Sequence, residues 1–312
     1  MSLRRVPQAL PLIASLAVLL PTSCGSSPSP TAPAPQAPVS DDASLLPPPP
    51  PRQVGDQVFV GAGDIGNCNL DGARETAALL DHIQGTVFTL GDNAYSTGSD
   101  QDFADCYDPH WGRQKYRTWP SPGNHDYETA GAAPYFAYFG DRAGSPGEGY
   151  YYVALGAWDV YSLNSNIPAA EGSPQYAWLD AQLSMNRSRC SLAYWHHAIR
   201  SSAKHGGSPE LLPLWRLLYR HGVDLAVVGH DHIYERFAPM NADLMYDPNG
   251  MREIVAGTGG GSLYDFKTIQ PLSEVRIKAW GVLKLTLRSD SYSWDFLTVR
   301  GDDGDSGEEA CH

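Results

Sequence analysis

Basic side chains are scarce in this chain. Its 312 residues hold 22 Lys plus Arg against 35 Asp plus Glu, a formal net charge of −13. Such an acidic surface argues against nucleic-acid binding, and it attracts no anionic ligand unless something local reverses the sign. Apolar runs are short: "ALPLIASLAVLLP" near the N-terminus does not reach the length of a comfortable bilayer span. Cysteine numbers only five, with no Cys-x-x-Cys pair, so a thiolate metal site is not indicated. No repeat of fixed period is present. "GTGGG" at Gly257–Gly261 lacks both the spacing and the following helix of a dinucleotide fingerprint, and it reads as a tight loop.

What is present begins with a targeting pattern. A basic "MSLRR", the apolar run and "LPTSCG" resemble a bacterial lipoprotein signal, with Cys24 as the lipidated residue. The expected organisation is a signal peptide of lipoprotein type over 1–24, a Pro/Ser/Ala-rich linker over 25–53, a folded catalytic domain over 54–300 and an acidic tail over 301–312. The linker is a semi-rigid tether with too little apolar surface to fold. The expected location is exported, either lipid-anchored to the cell membrane through Cys24 or secreted. In such a compartment the other four cysteines imply two disulfides. Three connectivities are possible, and Cys68–Cys106 with Cys190–Cys311 is favoured.

Within the domain, "QVFVGAGD", "TVFTLGD", "SLAYWHH", "VDLAVVGH" and "REIVAGTGGG" read as strands. "DGARETAALLDHI", with Asp71 able to cap it, "SPQYAWLDAQLSMNRS" and "SPELLPLWRLLYRHG" read as helices. "GYYYVALGAWDVYSLN" and "WGVLKLTLRSDSYSWDFLTV" read as hairpins. Strands alternating with helices, plus hairpins, predict an α/β domain with mixed sheets. The clustered aromatics Trp111, Tyr150, Tyr151, Tyr152 and Trp195 read mostly as core.

Five apolar strands end in polar clusters: "VGAGD", "TLGDNAY", "PSPGNHD", "AYWHH" and "VVGHDH". Ligands of open α/β folds bind at the carboxyl ends of strands. In extended backbone, residues i and i+2 face the same side, so His230 and His232 can address one place. Imidazole is the commonest metal-binding side chain.

Together these five pieces resemble the metallophosphoesterase superfamily. "GDIG" lacks the usual second histidine of the first motif, because Gly66 stands there. "GDNAYS" supplies Tyr95 three residues after Asp92 instead, which resembles the purple acid phosphatases. The trailing "YER" matches as well. The resemblance implies a four-layer αββα sandwich of two mixed β-sheets flanked by helices. It implies a binuclear metal centre: Asp64, Asp92, Tyr95 and His232 around Fe(III), with Asp92 bridging to Asn124, His196 and His230 around Fe(II), Zn(II) or Mn(II). Hard oxygen donors suit the trivalent ion and imidazole the divalent one. His196 is taken as the ligand over His197, which would face the substrate. His125 and His205 match positions that line the phosphate pocket, where either could bind phosphoryl oxygens or protonate the leaving group. Asp126 would orient His125.

The expected activity is hydrolysis of phosphate monoesters, with metal-bound hydroxide attacking phosphorus directly. The competitors are a phosphodiesterase on nucleotides or glycerophosphodiesters, and a metal- or phosphate-binding lipoprotein without turnover. The expected partner is a small phosphoester, with no nucleic acid and no membrane contact beyond the Cys24 anchor.

Overall fold

The computed structural model describes residues 55–185, 188–301 and 304–312. The expectations for the signal peptide, the linker and Cys24 lie outside them. Among the described residues, thirteen strands form two mixed sheets. β1 (Gln57–Ala62), β2 (Thr86–Leu90), β3 (Thr118–Ser121), β11 (Gly281–Leu287), β12 (Ser291–Thr298) and β13 (Asp305–Ala310) form the first, in the order β13-β12-β11-β1-β2-β3. The second comprises β4 (Tyr151–Leu155), β5 (Trp158–Ser162), β6 (Cys190–His197), β7 (Leu225–Gly229), β8 (Tyr234–Phe237), β9 (Arg252–Ala256) and β10 (Ser273–Ile277), ordered β10-β8-β9-β7-β6-β5-β4. Both expected hairpins form, β4 with β5 and β11 with β12, and the short helices α2 (Asp100–Asp102) and α3 (Ala133–Phe139) follow β2 and β3.

Side-chain alternation explains the layering. Along β7, Leu225 and Val227 join Phe59, Phe88, Leu283 and Leu285 in the core between the sheets. Ala226 and Val228 face the other way, against Leu179 of α4 (Pro174–Ser184) and Leu214, Leu217 and Leu218 of α5 (Leu212–Arg220). On the first sheet, Val60 and Val87 pack on Ala73, Ala77 and Leu80 of α1 (Gly72–Asp81). The result is the four-layer αββα sandwich expected from the sequence.

Ser173 caps α4 by accepting from the Tyr176 N–H at 3.3 Å. Asp71 makes no such bond on α1. Its carboxylate pairs with Arg74 at 2.9 Å instead, so the expected cap is corrected.

The acidic tail is also corrected. Residues 305–310 form edge strand β13 against β12. The acidic residues alternate, so Asp305 meets Arg236 (2.7 Å) and Glu309 meets Arg252 (3.0 Å), while Ser306 and Glu308 face solvent. Cys190–Cys311 then closes the strand, and Cys68–Cys106 is the other disulfide. Cys190–Cys311 spans 121 residues. Cys311→Ser is therefore expected to lower unfolding free energy by about 3–5 kcal/mol in denaturant titration. Unchanged stability would show that β13 holds without the crosslink.

β9 buries a carboxylate completely at Glu253. Burial pushes it up from its ordinary 4.5 to about 8, against N–H bonds from Ile199 and Arg200. Glu235 nearby adds to the rise, and the Arg200 charge opposes it. A raised folded value means the associated stability is complete below 4.5 and lost as pH climbs to about 8. Each pH unit in that window costs up to about 1.4 kcal/mol. Glu253→Gln keeps the acceptor and removes the titration, so chelated protein should lose this part of its pH dependence. An identical slope in the variant would refute it.

Candidate metal centre

β1, β2 and β3 run parallel in the first sheet, and β5, β6, β7 and β9 in the second. Asp64, Asp92, Asn124, His196 and His230 lie at or just beyond the carboxyl ends of β1, β2, β3, β6 and β7. Three of them take left-handed backbone: Asp64 (φ 61°), Asp92 (φ 49°) and His230 (φ 70°). Non-glycine residues pay of order 1–3 kcal/mol each for such a conformation, and it persists only where neighbours over-determine it. They do so here. Asp64 N–H donates to the Gly91 carbonyl (3.0 Å), Ile65 N–H to the Asp92 carbonyl (2.9 Å), and His230 N–H to Asp64 Oδ2 (2.9 Å). Glycine is required beside them. A Cβ on Gly91 (φ 82°) would lie 2.6 Å from His196 Nδ1, and one on Gly123 only 2.1 Å from the Asp92 nitrogen.

Two donor clusters result. In the first, Tyr95 Oη lies 2.9 Å from Asp64 Oδ1, 3.1 Å from Asp92 Oδ2 and 3.0 Å from His232 Nε2. In the second, His196 Nε2 lies 3.0 Å from Asn124 Oδ1, 3.1 Å from His230 Nδ1 and 3.4 Å from Asp92 Oδ1. Asp92 thus offers one oxygen to each cluster. All seven residues expected as ligands meet here.

The donor chemistry fits a cation. His196 Nδ1 contacts the Leu90 carbonyl at 2.7 Å and must donate to it, so in the neutral ring Nε2 carries the lone pair. His232 Nδ1 is tied in the same way to the Ser262 carbonyl at 2.8 Å. The His196 lone pair therefore faces an amide oxygen at 3.0 Å, and the His232 lone pair faces the Tyr95 hydroxyl at 3.0 Å with an Asp64 oxygen at 3.3 Å. A cation would satisfy such a set of converging lone pairs.

The electrostatics of the donor set agree. Burial disfavours a charged His196, but the Asp92 carboxylate overrides it and holds the ring up at about 9. Burial likewise opposes ionisation of Asp92, yet His196 and His125 bring it below the usual carboxylate range. Burial presses His230 down to about 2, with the neighbouring histidines adding to the effect. Tyr95 is driven well above 10 by burial and then by Asp64 and Asp92.

The non-ligand histidines also converge. Strands alternate faces, yet His196 and His197 both reach the site because the β6–β7 register shifts between Trp195 and His197. The His197 ring lies 4.4 Å from that of His230, tilted by 51°, and its Nδ1 is 2.7 Å from Ser165 Oγ. Burial, then His196, lowers it to about 3. His205 lies against His230 at 4.2 Å and is lowered mainly by burial. His125 Nδ1 meets the Ser96 carbonyl at 2.5 Å, leaving Nε2 3.9 Å from Asp92 Oδ2.

Asp126 does not orient His125, contrary to the sequence expectation. Its carboxylate accepts from Gly123 N–H (2.8 Å) and from the Asn93 side chain (2.9 Å), tying two strand-end loops together. Burial, then Asp92, raises it to about 7. Sequence reasoning missed Ser165, Tyr264, which stacks on His232 at 4.1 Å and 11°, and the carbonyls of Leu90, Ser96 and Ser262. Carbonyls leave no residue-type signal. Tyr264 follows the glycine loop closely enough to have been suspected.

The family model for calcineurin-like phosphoesterases matches residues 58–234. Purple acid phosphatase 21 of Arabidopsis thaliana is 30% identical over 76% of this chain and 59% of its own length. A nucleotide pyrophosphatase/phosphodiesterase of Hordeum vulgare is 28% identical over 82% of this chain and 83% of its own. Among solved structures, purple acid phosphatase PPD1 from yellow lupin seeds superposes with a TM-score of 0.68 at 20% identity, over 83% of this chain and 54% of that one.

Proposed function

Because the chain belongs to the calcineurin-like phosphoesterase family, we propose that it hydrolyses phosphate monoesters at a binuclear metal centre. The observation that carries this reading is the single carboxylate, Asp92, shared between two donor clusters of different chemistry. Asp64, Asp92, Tyr95 and His232 would hold Fe(III). Asp92, Asn124, His196 and His230 would hold Fe(II), Zn(II) or Mn(II). Two such ions would supply Lewis acidity toward the phosphoryl oxygens, an acidified water, and the local positive charge that an acidic chain otherwise lacks.

The chain's own residues orient and protonate. Ser165 fixes the His197 ring beside the second cluster. His125 directs Nε2 inward because Nδ1 is taken by Ser96. His205, whose imidazole pKa is lowered by burial, would gain a proton more readily with a phosphate dianion beside it, since an opposite charge favours the imidazolium. It then protonates the leaving oxygen.

His205→Ala should slow an alkyl phosphate about 10²-fold or more, and an aryl phosphate with an activated leaving group far less. Equal losses would reduce His205 to a phosphate-binding group. Hydrolysis of a monoester–diester panel, run beside metal analysis, tests the main reading. A diester or anhydride preference would favour the second reading, which the similarity to the barley enzyme along most of its length supports. Absence of turnover by metal-loaded protein would leave only a binding role. We further propose export, anchored through Cys24 or secreted, with the two disulfides as support.

A further inference from the structure

Residues 198–207, between β6 and α5, form no regular structure, yet their N–H groups are held by three carboxylates from another part of the chain. Ile199 N–H donates to Glu253 Oε1 (2.7 Å) and Arg200 N–H to Glu253 Oε2 (3.2 Å). Ser202 donates from its N–H to Glu235 Oε2 (2.7 Å) and from its hydroxyl to Oε1 (2.5 Å). His205 N–H donates to Asp231 Oδ1 (2.9 Å) and Gly206 N–H to Asp231 Oδ2 (3.2 Å). We propose that Asp231, Glu235 and Glu253 are positioning residues for His205, with Asp231 tying that histidine directly to the turn that carries His230 and His232.

The energetics favour one loop position. Asp231 is 1% exposed, and Glu235 and Glu253 are fully buried. A buried acid group is costly unless its acceptor oxygens are occupied, and an ionised carboxylate, unlike a protonated Glu253, accepts N–H bonds of the stronger, charge-assisted kind. Moving the loop would strand these acceptors together. Asp231 is itself rigid, with its N–H on the Gly229 carbonyl (2.9 Å) and its carbonyl taking Ile233 N–H (2.7 Å). Ring contacts run in parallel. His205 packs on His230, and Lys204 Nζ sits 4.7 Å over Tyr264, which stacks on His232. Through these contacts the His205 loop packs directly against the histidines of the centre.

The proposal rests on the reading of His205 as the group that faces the leaving oxygen, for which a displacement of about 1 Å can cost 10²-fold. The test uses metal-loaded full-length protein. Asp231→Asn keeps the volume but turns an amide N–H₂ toward one of the two backbone donors. Metal content should match the parent. Amide exchange at His205 and Gly206 should accelerate about tenfold or more, with β7 unaffected. kcat on an alkyl phosphate should fall about 10–100-fold, and on an activated aryl phosphate less than about 3-fold. In a His205→Ala background the same substitution should cost almost nothing more, because the two residues act as a unit. Glu235→Gln, which leaves the His230–His232 turn untouched, should give the same pattern in weaker form.

Parent-like alkyl-to-aryl ratios in both variants, full additivity with His205→Ala, or loss of metal by either variant would overturn the proposal. Faster exchange with unchanged kinetics overturns it while leaving the phosphatase reading standing. A parent inactive on every ester overturns both.

Discussion

Asp92→Ala should strip both metal ions from the protein and lower turnover about 10³-fold or more, equivalent to roughly 4 kcal/mol of barrier. The reason lies in how its two oxygens are used. Oδ2 is 3.1 Å from Tyr95 Oη in one cluster. Oδ1 lies 3.4 Å from His196 Nε2 in the other, where it also accepts the His125 N–H at 2.8 Å. Losing this carboxylate removes a donor from each cluster and most of the negative charge that balances the second. The fold should survive, because β2 is held by Val87, Phe88 and Leu90, all fully buried and unaltered. Asp92→Asn separates charge from shape: it can still accept the His125 N–H, yet metal content should stay far below the parent's. Full metal content and parental turnover in the alanine variant would show that the two clusters are not one centre.

Tyr95→Phe should abolish a visible absorption band of the oxidised, iron-loaded protein while circular dichroism stays unchanged. The Tyr95 oxygen sits within 3.1 Å of three other donors, Asp64, Asp92 and His232. Burial and the two carboxylates keep its proton on, well above the ordinary 10. Only a strongly positive ion among those donors can reverse that balance. Fe(III) bound there would hold a phenolate, and phenolate-to-Fe(III) charge transfer absorbs in the visible. Fe(II), Zn(II) or Mn(II) in the same place would give no such band. Iron-loaded protein without such a band, or a band that persists in Tyr95→Phe, would mean that Tyr95 only hydrogen-bonds beside the site.

Six of the seven donors were legible because they lie at a strand end or within three residues beyond it, where an apolar run stops and a polar cluster begins, while Tyr95 lies five residues beyond β2. His230 and His232 both reach the centre, one in each cluster, but from a turn and not from the extended backbone expected, since His230 takes left-handed φ of 70° beyond β7. The tail was misread because its acidic residues report charge, whereas Arg236 and Arg252, which make it a strand, lie far away in the chain. Asp126 was misread because its nearest neighbour in sequence, His125, is not its partner. Its donors are Gly123 and Asn93, the latter 33 residues away.

By itself, the sequence determined the α/β class through its local periodicity, and its resemblance to the purple acid phosphatases implied the seven donors that the fold brings together. Only the tertiary structure decided which donors share a cluster. Tyr95 and His232 are 137 positions apart and meet because one follows a strand of the first sheet and the other a strand of the second. It also decided that His197 joins His196 inside, through a register shift that no pattern of residue types announces. And it decided that buried carboxylates hold the His205 loop, because a backbone N–H looks the same in every sequence and its partner is chosen only when the layers pack.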